Sequence, residues 1–192
     1  MVCSFGAGLG SLSMAEPIRH RGYTFLTGGA RSGKSSLAVR LAESSGLSVA
    51  FFATGQPFDA EMTDRIARHR AERPAHWQTV EAPVALVASL SSSHTLAFAV
   101  VDCLSLWVAN LLLDGAADIE PQAVELRRVL IEREAPSVVV TNEVGLGIVP
   151  DNALARSYRD VLGRVNAIVA GGADEALLVV AGRTLRLDQP PV

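Results

Sequence analysis

Five apolar runs of strand length punctuate the chain, at Tyr23–Thr27, Ser48–Thr54, Thr95–Leu104, Ser137–Thr141 and Glu175–Ala181. Between them lie segments with helical spacing or helix-forming composition, at Lys34–Ser44, Asp59–Glu72, Leu106–Leu113, Pro121–Glu134 and Asn152–Ala170. The last of these follows Pro150, with Asp151 or Asn152 as its N-cap. The strand-length runs are nearly continuous in apolar residues instead of alternating, which marks strands covered on both faces. Such alternation of strand and helix predicts an α/β protein with a doubly wound, mainly parallel sheet and a ligand crevice at the carboxyl ends of its strands. Thr184–Leu187 reads as a final strand before a solvated end at Asp188–Val192.

A chain of 192 residues suits one domain with a substantial core. That domain is expected over residues 21–188, after a mobile Gly- and Ser-rich tail at Met1–His20 in which Met14 offers a second start. The tail has no Lys or Arg before Arg19 and so lacks the basic opening of a secretory signal. Hydrophobic residues at 49% and charged residues at 19% argue against disorder. A net charge of -3 supplies no basic footprint for nucleic acid, which leaves small molecules as the expected partners. Cys3 and Cys103 stand far apart and outside any C-x-x-C spacing, so both read as free thiols of a reducing compartment, here the cytoplasm. The longest apolar run, around Thr95–Val101, is too short to span a bilayer.

The chemistry begins after the first predicted strand. Gly28, Gly29, Ala30, Arg31, Ser32, Gly33, Lys34 and Ser35 fit G-x-x-x-x-G-K-[ST], with a strand delivering the loop and a helix leaving it. In that context, backbone N–H groups and a helix N-terminus converge on phosphate oxygens, and glycines allow the main chain to approach them closely. Lys34 would neutralise the β- and γ-phosphates, and the Ser35 hydroxyl would ligate Mg²⁺. The loop thus narrows the expected fold to a P-loop NTPase of RecA-like topology. Asp102, at the end of the run Ala97–Val101, matches the metal-directing carboxylate that such a loop requires from another strand; capping of the following helix is the plainer reading.

Two further segments are unusual. Residues 64–76 pack Arg65, Arg68, Arg70 and Arg73 with His69 and His76 into about three turns of helix ended by Pro74. Alone, such a segment is most often a solvated helix face. Its arginines would nevertheless hold a polyphosphate and the charge of its transition state, and a neutral His69 among them would be a nucleophile. The second segment, residues 138–150, is a strand that runs into a polar, Gly-rich loop. Thr141, Asn142 and Glu143 are candidates to bind substrate there, or to hold a turn, while Gly145 and Gly147 would permit a hinge.

Taken in order, residues 27–35, residues 65–77 and residues 141–150 closely resemble the bifunctional adenosylcobinamide kinase/adenosylcobinamide-phosphate guanylyltransferase family of cobalamin biosynthesis, over about Tyr23 to Leu187. The resemblance implies a two-step enzyme. Adenosylcobinamide is phosphorylated from ATP or GTP, and GMP is then transferred from GTP to that phosphate through a covalent histidine intermediate, with His69 at the matching position and Lys34 in the phosphate loop. It also implies nucleotide contacts at Gly28 through Ser35, at Ala53, Thr54 and Gly55, at Arg70, Ala71, Glu72 and Arg73, at Glu81 and at Asp102. Mg²⁺ would be held by Ser35 and Asp102, and the family's assembly is a trimer. The chain departs from the family pattern where Asp102 replaces a Glu and where Gly55 replaces the Ser that often follows Thr54. A plain P-loop kinase of small molecules, without guanylyl transfer, is the competing expectation. His76 and Trp77 are expected to pack the loop after the helix and Trp107 to lie in the core or a subunit contact, while His20 and His94 have no partner in view.

Overall fold

The structure is a computed structural model that describes residues 21–93 and 96–189. The tail expected at Met1–His20, with Cys3, Met14 and His20, lies outside the described residues, as do His94, Thr95 and residues 190–192. Along the described chain run β1 (Tyr23–Thr27), α1 (Lys34–Ser44), β2 (Val49–Ala53), α2 (Ala60–Ala71), β3 (Gln78–Glu81), α3 (Leu86–Ser92), β4 (Phe98–Asp102), α4 (Leu104–Leu113), α5 (Glu120–Glu132), β5 (Ser137–Val140), α6 (Ala153–Ala170), β6 (Glu175–Val180) and β7 (Arg183–Leu187). The strands form a seven-stranded sheet in the order β3-β2-β4-β5-β1-β6-β7. All its pairs are parallel except β6 with β7, which form an antiparallel hairpin at one edge. This is the doubly wound α/β sheet that the apolar pattern predicts.

Period-two alternation along the strands divides the core between the two faces. Phe25, Phe52 and Val139 join Leu86, Leu104, Trp107, Leu126 and Leu162 on one side. Leu26, Phe51, Val138 and Val140 join Ala38, Ala42 and Trp77 on the other. Trp107 is fully buried and donates from Nε1 to the Val84 carbonyl at 3.0 Å, so it is a core residue. Trp77 likewise packs inside, which leaves its ring no open face for a ligand.

Two elements escape the hydrophobic pattern. Strand β3 is four residues, Gln-Thr-Val-Glu, half exposed at the sheet edge, with no apolar run to announce it. Helix α3 is seven residues, three of them Ser, and buries only Leu86 and Leu90, an i,i+4 pair. The strand expected over Thr95–Leu104 shortens to Phe98–Asp102, and α4 begins at Leu104 instead of Leu106. The sheet order has one consequence for chemistry. Strand β5 lies between β1 and β4, with Val140 in register with both Leu26 and Asp102. The loop after β1, the segment after β5 and the carboxylate ending β4 therefore meet at one edge of the sheet.

Candidate active site

The loop between β1 and α1 owes its path to backbone conformations that its glycines supply. Gly28 has φ 143°, and a Cβ there would lie 2.2 Å from the Val179 carbonyl oxygen of β6. Gly33, the N-cap of α1, has φ 102°, and Arg31 between them accepts a left-handed φ of 58°. No side chain caps the start of α1, which leaves its first amides to an external acceptor. Lys34 is buried and curls back over the loop, donating from Nζ to the carbonyls of Gly28 at 2.8 Å and Gly29 at 2.7 Å. Burial lowers its pKa, opposed by the neighbouring Cys103 and Asp102.

Asp102 ends β4 beside this loop, with the Ser35 side chain near enough to pull its pKa down. Desolvation raises its pKa; Ser35 and then His69, Arg73 and Lys34 pull it the other way. The next strand, β2, is followed by Thr54, whose hydroxyl donates to the Cys103 carbonyl at 2.7 Å and accepts from the Cys103 amide at 2.8 Å. Thr54 also accepts at its carbonyl from Asn110 Nδ2 at 2.7 Å, so its polar groups stitch β2 to β4 and α4.

Helix α2 starts at Asp59, whose carboxylate accepts from the Met62 amide at 2.7 Å. Glu61 in its first turn and Arg68 and Arg70 in its last complement the helix dipole. None of its residues is buried. Met62, Arg65, Ile66 and His69, spaced at i, i+3, i+4 and i+7, instead face a cleft of about 350 Å³, as does Arg73 just past the helix end. His69 Nδ1 lies 3.8 Å from the Glu72 carboxylate. Arg73 donates from Nε to the His69 carbonyl at 2.9 Å, and its guanidinium lies over the Phe51 ring. Its Nη1 is buried without a hydrogen-bond partner among the described residues. A cationic N–H in that position favours an anion.

The same cleft is lined by Ala30, Arg31, Ser32, Gly33, Lys34 and Ser35, by Ala53 and Gly55, by His69, Glu72 and Arg73, and by Asp102. It does not include Gly28 and Gly29, which lie behind Lys34 as its acceptors, nor the internally satisfied Thr54. Arg70 and Ala71 are exposed and outside the lining, as is Glu81 at the end of β3, in register with Ala53. Phe51, Met62, Ile66, Cys103 and Leu106 also line the cleft, although the motifs do not mark them. For Met62 and Ile66 the signal was available in their helical spacing from His69.

Asn142 completes the wall after β5. Its Nδ2 donates to Ser105 Oγ at 3.1 Å, and its carbonyl accepts from Asn166 at 3.1 Å. Thr141 is buried and donates to Asn166 Oδ1 at 2.8 Å, a structural role. Glu143 turns its carboxylate onto the amides of Gly145 and Leu146, while its own amide donates to the Gly28 carbonyl at 3.0 Å.

A glycine-rich phosphate loop between β1 and α1, faced by a carboxylate on β4, defines an α/β protein of P-loop NTPase-like fold. Solved structures agree on the fold: a protein from Pyrococcus horikoshii OT3 superposes with a TM-score of 0.54 at 10% identity, covering 88% of this chain and 87% of its own. An ATPase of a bacterial type III secretion system superposes at 0.52 with 11% identity, over 82% of this chain and 50% of that one. Residues 24–187 match the family described as cobinamide kinase / cobinamide phosphate guanyltransferase, and the chain belongs to that family. It is 44% identical to the bifunctional adenosylcobalamin biosynthesis protein CobP of Pseudomonas aeruginosa, over 87% of this chain and 98% of that protein. It is 41% identical to the bifunctional adenosylcobalamin biosynthesis protein CobU of Escherichia coli, over 82% of this chain and 94% of that protein, with the same figures for its Salmonella typhimurium counterpart.

Proposed function

We propose that this chain carries out two successive transfers at the cleft: phosphorylation of adenosylcobinamide from ATP or GTP, then transfer of GMP from GTP to the product. The observation that supports this reading is the convergence of His69, Lys34, Ser35 and Asp102 on one cleft. In the first step the acceptor hydroxyl oxygen attacks the γ-phosphorus, the bond to the bridging oxygen breaks, and ADP or GDP leaves. In the second, an unprotonated nitrogen of His69 attacks the α-phosphorus of GTP, a P–N bond forms and pyrophosphate leaves. A phosphate oxygen of adenosylcobinamide phosphate then displaces the imidazole, giving adenosylcobinamide-GDP and restoring His69. Division of one displacement into two is the advantage of a covalent intermediate.

Within this reading the amides of Gly28 through Ser35 cradle the phosphates, and Lys34 leaves the loop carbonyls to meet them. Arg73, with its unpaired buried N–H, stabilises charge on the transferring group, and Arg70, Ala71 and Glu72 border the nucleotide with it. Ala53, Thr54, Gly55 and Glu81 form the nucleotide's far border at the ends of β2 and β3. The Ser35 hydroxyl and the Asp102 carboxylate are hard oxygen donors lining the same cleft, suited to Mg²⁺. No group of three or more His, Cys, Asp and Glu converges among the described residues, so phosphate oxygens and water would complete the metal's shell. Bound there, Mg²⁺ would neutralise charge developing between the phosphates.

The chain works, on this reading, as one catalytic unit over residues 21–188 in the cytoplasm; no helix among the described residues is long and apolar enough to cross a membrane. It assembles into a homo-oligomer, a trimer by resemblance to the family. Exposure of every residue of the edge strand β7, with Leu185 and Leu187 among them, supports association. Labelled nucleotides test the activity: label from γ-labelled ATP is expected in adenosylcobinamide phosphate, and label from α-labelled GTP in adenosylcobinamide-GDP. Incorporation of the first label without the second would leave only a kinase.

A further inference from the structure

The loop from β5 to α6 pairs a fixed frame with an apolar tip. Leu146, Ile148 and Val149 are 85%, 97% and 61% exposed, and Leu154 in the first turn of α6 is 64% exposed. So many large apolar side chains within nine residues are not the ordinary scatter of a soluble surface. The segment is also held in place at both ends. At its start, the Glu143 amide is bonded to the Gly28 carbonyl of the phosphate loop, and the Glu143 carboxylate gathers the amides of Gly145 and Leu146. At its end, Arg156 donates to the carbonyls of Pro150 at 2.9 Å and Asp151 at 2.6 Å. The tip is therefore presented at a set offset from the phosphate cradle.

Size decides what this tip can meet. A cleft of about 350 Å³ lies at the small end of ligand sites and suits a nucleotide. A corrin macrocycle, with methyl-studded faces and a rim of amides, is too large to share it. Only the side arm that carries the reacting oxygen can enter, and the macrocycle must rest on the surface beside the mouth. Asn142 belongs to the cleft wall and the apolar tip begins four residues later, so the chain itself runs from the reacting centre to that surface.

We propose that Leu146, Ile148 and Val149 form the acceptor subsite, on which the apolar face of the corrin macrocycle lies while its side arm reaches past Asn142 to the nucleotide. This deepens the two-step reading above and rests on it. The subsite determines acceptor selection and has no part in nucleotide binding.

The test compares wild type with a Leu146→Ser/Ile148→Ser double variant, whose sites are exposed enough that folding is not at stake. With ATP or GTP saturating, KM for adenosylcobinamide is expected to rise about tenfold or more, since each truncation removes apolar surface from the contact. KM for GTP should change by less than about twofold, a split that a merely structural role would not give. An unchanged KM for adenosylcobinamide, or equal rises for both substrates, would overturn the proposal. So would an altered oligomeric mass in light scattering with the acceptor KM unchanged, which would give the surface to a second copy of the chain. Failure of the two-step reading appears separately, as absence of guanylyl transfer in the wild-type enzyme.

Discussion

The guanidinium carbon of Arg73 lies 3.7 Å from the centroid of the Phe51 ring, a stacked cation on β2 that ties the end of α2 to the sheet. The Arg73 Nε bond to the His69 carbonyl extends that tie to the histidine. Arg73→Ala is expected to cost about 1 kcal/mol of stability through the lost stacking. It should also slow guanylyl transfer by about a hundredfold through the lost charge-assisted hydrogen bonds. Arg73→Lys keeps the charge but not the planar fork, and should recover less than half of the loss in log rate. Thermal unfolding and single-turnover rates measure the two effects; a variant that loses stability alone would leave Arg73 a structural residue.

Lys34 spends its hydrogen bonds on the loop's own carbonyls, which a triphosphate would replace. Lys34→Ala is expected to weaken triphosphate binding by about tenfold to a hundredfold in calorimetric titration, and to slow phosphoryl transfer further. Wild-type affinity in the variant would remove the phosphate cradle from the account.

The raised pKa of Asp102 fixes the sign of a pH effect. The unfolded chain releases this proton near 3.8, while the folded chain, with the carboxyl desolvated, holds it to higher pH. Stability of the ligand-free protein should therefore fall as pH rises from 3.8 through the folded pKa, and the charged carboxylate remains a cost above it. Asp102→Asn is expected to raise the Tm at neutral pH and to cut Mg²⁺-dependent turnover by about tenfold or more. In the wild type, affinity for Mg²⁺-nucleotide should weaken as pH drops through the folded pKa. A lower Tm in the variant would contradict the assignment of desolvation as the leading cause.

Cys103 lines the cleft, yet its thiol is pushed up to about 11, first by burial and then by Asp102. At pH 8 only about one thiol in a thousand is the reactive thiolate. Alkylation of Cys103 by iodoacetamide, mapped by peptide mass, should be slow at neutral pH and accelerate about tenfold per pH unit towards 11. Rapid labelling at pH 7 would show that the thiol is not shielded.

Much of this site could be read before any fold was known, because its signals are local. The phosphate loop needs Gly28 and Gly33 at backbone positions that other residues resist, so the motif and its geometry are inseparable. Asp102 follows an apolar run long enough to identify as a strand. The elements that stayed hidden, β3 and α3, are four and seven residues long and show too few apolar positions for either period. The internal use of Thr54 was hidden for another reason: its partners Cys103 and Asn110 are 49 and 56 residues away. The exposure of Leu146, Ile148 and Val149 was equally out of reach, since an apolar residue in a loop reads the same whether it is buried or bare.

The second transfer depends on guanylylation of His69 by a triphosphate bound in the neighbouring loop. Intact mass after incubation with GTP and Mg²⁺, followed by peptide mapping, tests it most directly. One acid-labile GMP adduct is expected on His69 in the wild type and none in His69→Ala, whose kinase turnover persists. An unmodified wild-type chain that still makes adenosylcobinamide-GDP, or an adduct mapped to another residue, would contradict it.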